Sequence, residues 1–206
     1  MSRIILVRHG HVEGIDPPRF RGRTELALTD RGRRQARETA KRIQASWNPV
    51  GVYSSPLGRC VATATAIAAA VRTSPPEILE SLNDLDYGAW QSRTYEEVKA
   101  DAPELFELWL KAPHLVRFPA GESLQDLAAR VADALRLVLE RHPHDAVVMV
   151  GHDSVNRALL LQVLDQPLSA YWRLSQDPCG ISEIQIANGE SRVHRVNETY
   201  HLRQDS

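Results

Sequence analysis

Cysteine is scarce: two residues, Cys60 and Cys179, in a chain of 206. They form no C-x-x-C motif and too few pairs for a disulfide framework, which predicts two thiols in a reducing cytoplasm. Long apolar runs are missing as well. The longest, such as Ala66 to Val71 and Ala158 to Leu161, fall far short of the ~18 residues of a membrane span. The apolar run near the start, Ile4-Ile5-Leu6-Val7, is too short for the core of a signal peptide, so no export is expected. Net charge is nearly absent. With 25 Lys and Arg against 26 Asp and Glu the formal charge is -1, so no global field favours nucleic acid or an anionic membrane, and any anion binding must be local. Internal repeats, low-complexity blocks and Gly/Ser-rich linkers are also lacking, which predicts one domain over residues 1–206. What remains is an ordinary globular mixture, 43% hydrophobic and 25% charged, long enough to bury a core.

Strand and helix signals alternate along the chain. Arg3 to Val7 is a short β-branched run, and Thr29 then suits the N-cap of an amphipathic helix to about Trp47. Val50 to Tyr53 is the next strand, with Ser54-Ser55-Pro56 as cap region for an Ala-rich helix through Val71. Ile78 to Ser81 is a third strand candidate. Ala146 to Val150 reads as a strand buried on both faces, followed by a helix from about Asp153 to Leu164. Ile181 to Ala187 and Ser191 to Val196 flank Asn188-Gly189, a hairpin signal because both residues tolerate positive φ. Between Ser92 and Arg141 the pattern is helical: Thr94 to Glu97 has capping-box spacing, Pro103 suits a helix start, and Ser123 opens a longer helix with Leu124, Leu127, Val131, Leu135 and Val138 on one face. Phe106, Trp109 and Phe118 fit either an aromatic lining beside a cleft or ordinary helix contacts. The expected architecture is a three-layer α/β/α sandwich, its mostly parallel sheet carrying an antiparallel edge strand, with a helical cap insertion over about 92–121.

Unusual polar residues gather at strand ends. Arg8-His9-Gly10 follows the first strand, Ser54 to Arg59 the second, and Gly151-His152 the strand of Ala146 to Val150. In a parallel sheet these three carboxyl ends share one edge, where open α/β folds bind ligands. Two arginines and two histidines thus meet there, and arginine suggests a bidentate oxyanion such as phosphate. His142-Pro143-His144 has no further ligands that would complete a metal site, and His114, His194 and His201 read as surface residues.

These residues resemble the opening of the histidine phosphatase superfamily, also called phosphoglycerate mutase-like. Leu6 to Gly10, Phe20-Arg21-Gly22 and Leu28 to Ala36 are similar to its first segment and Tyr53 to Ala64 to its second motif. Asp84 to Trp90 resembles the third, Pro119 to Ser123 the fourth, and Val150-Gly151-His152 the last. The resemblance implies that His9 is a nucleophile forming a phosphohistidine, that Arg8, Arg59 and His152 hold the phosphoryl oxygens, and that Asp84 is the proton donor. It places Gly10, His11, Arg21 and Gly22 among the substrate-binding residues. Three departures stand out. Asp84 occupies a position where the family usually has Glu, with Asp86 and Glu13 as nearby substitutes. Ile15 stands where an Asn ligand is common, and Arg21 could replace it with a charge.

The implied activity is hydrolysis of a small phosphomonoester, a phosphorylated metabolite being the only partner expected. No metal or cofactor is required, because arginines supply the positive charge. Two alternatives stay open: mutase-type phosphoryl transfer, against which the short interval of 68 residues from Asp84 to His152 speaks (152 minus 84), and a phospho-ligand or phosphoprotein binding module without turnover. Specificity is expected to reside in the segment from Ser92 to Pro119.

Overall fold

Period-two alternation organises the centre of the molecule. In β1 (Ser2–Arg8) Ile4 and Leu6 project to one face and Ile5 and Val7 to the other, and all four are buried. In the later strand Ala146–Gly151, Val147 and Met149 join the first pair while Val148 and Val150 join the second. A strand that is apolar on both sides needs helices on both sides. Helices α1 (Asp30–Ser46) and α2 (Gly58–Val71) cover one face through Ala40, Ile43, Ala64 and Ile67. On the opposite face lie α3 (Tyr95–Asp101), α4 (Pro103–Lys111), α5 (Leu124–Arg141) and α6 (Asp153–Val163), through Val98, Trp109, Leu127, Val131 and Leu159.

The computed structural model describes residues 1–205. Its sheet has six strands in the order β3-β2-β4-β1-β5-β6, where β2 is Gly51–Ser54, β3 is Glu77–Ile78, β4 is Ala146–Gly151, β5 is Ile181–Ala187 and β6 is Glu190–Glu198. Strands β3, β2, β4 and β1 run parallel; β5 is antiparallel to β1, and β6 to β5. This is the mostly parallel, three-layer arrangement expected. Register brings the strand ends level, with Arg8 opposite Gly151 and Ser54 opposite Val150. The edge that carries these strand ends is therefore set by β2, β4 and β1 side by side.

Local chemistry accounts for the boundaries. Thr29 Oγ1 accepts from Gly32 N at 3.1 Å, and Thr94 with Glu97 and Ser123 with Asp126 form reciprocal capping boxes. Asn188 and Gly189 turn the hairpin at φ 53° and 80°. The start of α2 differs from expectation. Ser54 and Ser55 do not cap it, because the Ser54 hydroxyl turns to the Ser55 carbonyl and the Ser55 hydroxyl reaches His152; instead Glu25, from a distant loop, accepts from Gly58 N at 2.7 Å. The third strand shrinks to Glu77–Ile78, and residues 80–82 form a short 3-10 turn. Phe106, Trp109 and Phe118 are core residues, with Trp109 0% exposed and in edge contact with Phe118 and Trp172. Among the described residues no helix is long and apolar enough to cross a membrane.

One close approach joins β1's exit loop to α1. The Gly32 α-carbon packs on the backbone of His11, where a β-carbon would run into the His11 carbonyl oxygen. Helix propensity alone predicts that Gly32→Ala gains about 1 kcal/mol. Overpacking against fixed backbone predicts the opposite sign, a loss of about 1–3 kcal/mol. We expect the loss, read as a lower urea midpoint at unchanged slope; a raised midpoint would show that this contact imposes nothing.

Candidate active site

Three parallel strand ends deliver the cluster. β1 ends in Arg8 and leads to His9, whose N–H continues the ladder by donating to Gly151 O at 3.0 Å. β4 leads to His152, and β2 to the turn that carries Arg59 in the first turn of α2. His9, Arg59 and His152 are buried, at 2%, 0% and 1% exposure. The imidazoles of His9 and His152 meet edge to face with centroids 5.3 Å apart.

Hydrogen bonding fixes the protonation of His9. Its Nδ1 lies 2.7 Å from Gly10 O, and because a carbonyl only accepts, Nδ1 carries the ring proton. Nε2 therefore presents a lone pair, to which Arg59 Nε donates at 3.3 Å. Burial, then the neighbouring His152, Arg8 and Arg59, holds the His9 pKa well below its ordinary value, and burial with the two arginines does the same for His152. The other Arg59 nitrogens are committed as well: Nη1 donates to Thr24 O at 2.7 Å, and Nη2 to Gly22 O at 2.7 Å and Asp84 Oδ2 at 3.1 Å. Gly22 holds φ +46°, which presents its carbonyl to Arg59.

Asp84 is the carboxylate that meets this cluster. Oδ2 lies 3.4 Å from His152 Nδ1 in addition to its contact with Arg59, while Oδ1 accepts from Ser154 Oγ at 2.5 Å and from Leu85 N at 2.9 Å. The two rival carboxylates sit elsewhere. Asp86 accepts from Gly88 N and pairs with Arg23, and Glu13 is exposed. Arg8, at the end of β1, is buried, donating through Nη1 to Gln176 O at 2.5 Å, with its Nε unpartnered.

A cleft of about 230 Å³ opens over this floor. Arg8, Asp84, Arg21, Gly22, Ile15 and Tyr87 line it together with Tyr95, Asp153, Arg157, Tyr171 and Trp172. Of the segment from Ser92 to Pro119 only Tyr95 is among the lining residues; α6 contributes Asp153 and Arg157, and the turn of Leu168–Arg173 contributes Tyr171 and Trp172. Arg21 donates to Gly14 O at 2.6 Å and keeps its Nε unpartnered. Gly10 contributes its amide to Thr63 Oγ1 and packs on α1. His11 lies apart from the cleft lining, its Nδ1 3.0 Å from Thr29 Oγ1 and its N–H donating to Gln35, so the structure places it in the joint between loop and helix.

The residue that sequence reasoning missed is Arg130. It uses every N–H it has: to Ser81 O, Asn83 O and Asp84 O, and to both oxygens of Glu122. That fan clamps the segment leading into Asp84. Its signal was a lone arginine at the margin of the stripe of Leu124, Leu127 and Val131 on α5. Ser154, Asp153 and Arg157 were also overlooked, although they follow His152 within two turns of α6.

Comparison with known proteins gives a consistent outcome. The model of the histidine phosphatase superfamily (branch 1) matches residues 4–199. Phosphoserine phosphatase 1 of Hydrogenobacter thermophilus is 34% identical over 204 residues, covering 98% of this chain and 95% of its own. The metal-independent phosphoserine phosphatase of Arabidopsis thaliana is 32% identical over 166 residues, 79% and 69% of the two chains. Among solved structures, YhfR of Bacillus stearothermophilus superposes with a TM-score of 0.92 at 27% identity, over 98% of this chain and 100% of that one.

The buried histidines make stability depend on pH. Both are held below their ordinary pKa in the folded state, so below pH about 6.5 the unfolded chain binds protons that the folded chain refuses. Stability is full above that pH and falls as the pH drops, by up to about 1.4 kcal/mol per pH unit for each histidine. We expect urea unfolding between pH 7 and 5 to show this loss, and His9→Gln to have a shallower slope. Equal slopes would mean that His9 accepts a proton freely in the fold.

Proposed function

We propose that this chain, which belongs to the histidine phosphatase superfamily, hydrolyses a small phosphomonoester through a phosphohistidine on His9, with no metal ion. The observation that carries the reading is the state of His9: a buried imidazole whose proton is held on Nδ1 by Gly10 O, leaving the Nε2 lone pair among guanidinium groups. Two buried arginines, Arg8 and Arg59, meet at this position beside the carboxyl groups of Asp84 and Asp153, and a buried guanidinium is the group that best receives a phosphoryl anion.

In the first step the phosphoryl group enters between Arg8 and Arg59 and displaces the Arg59 Nε–H from His9. The Nε2 lone pair attacks phosphorus, the P–N bond forms, and the P–O bond to the alcohol breaks as Asp84, having taken the proton of the monoanionic phosphoryl group, passes it to the leaving oxygen. Arg8, Arg59 and His152 meet the three equatorial oxygens, where the charge of a loose transition state resides. In the second step Asp84 takes a proton from water, whose oxygen attacks phosphorus. The P–N bond breaks, inorganic phosphate leaves, and His9 regains its lone pair. Arginines supply the positive charge that a metal would otherwise bring. Support for a small metabolite comes from the size of the cleft and from the phosphoserine named for the relatives. The free thiols of Cys60 and Cys179, both buried, fit a cytoplasmic setting.

Three measurements test this reading. Labelled substrate should leave an adduct on His9 that is lost in acid and absent from His9→Ala; an adduct on Ser54, Ser55 or Cys60 would overturn the mechanism. Arg59→Ala should lose on the order of 100-fold or more in kcat, as removal of an oxyanion donor does; a change confined to KM would reduce Arg59 to substrate capture. Asp84→Asn should slow the single-turnover burst far more on an alkyl phosphate than on para-nitrophenyl phosphate, whose leaving group needs no proton. Equal losses would remove Asp84 from the role of acid.

A further inference from the structure

The lining of the cleft holds a charged pair that the phosphoryl chemistry does not use. Asp153 and Arg157 stand one helical turn apart on α6, immediately after His152, and both line the cleft. Their closest atoms, Asp153 Oδ2 and Arg157 Nη2, are 3.8 Å apart, beyond hydrogen-bond reach. The arginine is held otherwise. Its guanidinium lies 4.9 Å from the ring centroid of Trp172 and 5.2 Å from that of Tyr171, and Nη1 donates to Tyr171 O at 3.2 Å. Arg157 Nε is buried with no hydrogen-bond partner. The result is a fixed cation and a fixed anion, side by side, loosely paired, and facing the same cavity as Arg8 and Asp84.

We infer that Asp153 and Arg157 form a subsite for the charged end of the substrate, Arg157 taking a carboxylate and Asp153 an ammonium, so that the substrate class is an O-phosphorylated α-amino acid. The inference rests on the phosphomonoester reading of the site and adds the group on the other side of the ester oxygen. Its geometry suits a short substrate. Four residues of helix rise about 6 Å, so Arg157 lies roughly that far along α6 from Asp153, itself the neighbour of His152. The ammonium and carboxylate of an α-amino acid share one carbon, and together they span a loosely opened ion pair. Charge chooses between candidates. A phosphorylated hydroxy acid would satisfy Arg157 but leave Asp153 facing a neutral hydroxyl beside an incoming carboxylate; a phosphorylated amine would satisfy Asp153 and leave Arg157 unmatched. The zwitterion matches both members of the pair, and specificity of this kind is the difference between matched and unmatched charges.

Binding to the His9→Ala variant tests the subsite without turnover. Calorimetry would compare O-phospho-L-serine with 3-phospho-D-glycerate, which has hydroxyl for ammonium, and with O-phosphoethanolamine, which lacks the carboxylate. Phosphoserine should bind about 10-fold or more tightly than either, the scale of one charge-assisted hydrogen bond. Adding Arg157→Gln should weaken phosphoserine about 10-fold more than it weakens phosphoethanolamine, and adding Asp153→Asn should remove the preference for phosphoserine over phosphoglycerate. The ranking of the three ligands needs no change on α6, so a variant that fails to fold does not decide the matter. Equal affinity for all three would overturn the subsite. Failure of the hydrolase reading shows differently, as no phosphate released from any of them by the wild-type protein, whatever their order of binding.

Discussion

Arg59 is the cation around which the site is assembled. It has no exposed surface, and a guanidinium placed in that position must find an acceptor for its donors or destabilise the fold. The chain supplies partners from five residues: the carbonyls of Gly22 and Thr24, the carboxylate of Asp84, the lone pair of His9 and the ring nitrogen Nδ1 of His152. These bonds tie the loop after β1, the approach to Asp84 and the first turn of α2 into one unit. Gly22 needs its left-handed backbone because its carbonyl must turn inward to Arg59, and a side chain there would meet Gln91, Tyr87 and Leu85.

A second arginine does for Asp84 what Arg59 does for His9. Arg130 gathers the carbonyls of Ser81, Asn83 and Asp84 and locks onto Glu122, while Arg23 donates to Asp84 O and pairs with Glu122 and Asp86. The carboxylate of Asp84 therefore arrives with its backbone fixed and its oxygens aimed at Ser154, Arg59 and His152. Such a frame is the physical meaning of preorganisation, since little rearrangement is left for the moment when charge develops on a phosphoryl group. Arg130 also fixes the backbone from which Asp84 reaches Arg59 and His152.

Much of this was legible in the sequence because it rests on short-range rules. Strand ends at Arg8, Ser54 and Gly151, the caps at Thr29, Thr94 and Ser123, and the Asn188-Gly189 turn each follow from a few adjacent residues. Interactions between distant segments were not. Glu25 as cap of α2, Arg130 as clamp of Asp84 and the Asp153–Arg157 pair depend on tertiary neighbours that no periodicity encodes. The aromatic residues Phe106, Trp109 and Phe118 were ambiguous for the same reason: their local sequence does not say whether they meet the core or a cleft. They fill it, and the cleft wall is built instead from Tyr171, Trp172 and the start of α6. His11 shows the converse, a polar residue in a functional motif that the fold spends on Thr29 and Gln35.

The central claim is that His9 waits as a neutral imidazole with its proton on Nδ1 and its lone pair on Nε2. Nitrogen-15 NMR of the histidine rings in the substrate-free protein at pH 7 reads this directly, since protonated and unprotonated ring nitrogens resonate far apart. The account predicts one His9 nitrogen of each kind, with the proton on Nδ1. A proton on Nε2, or an imidazolium with both nitrogens protonated, would contradict it.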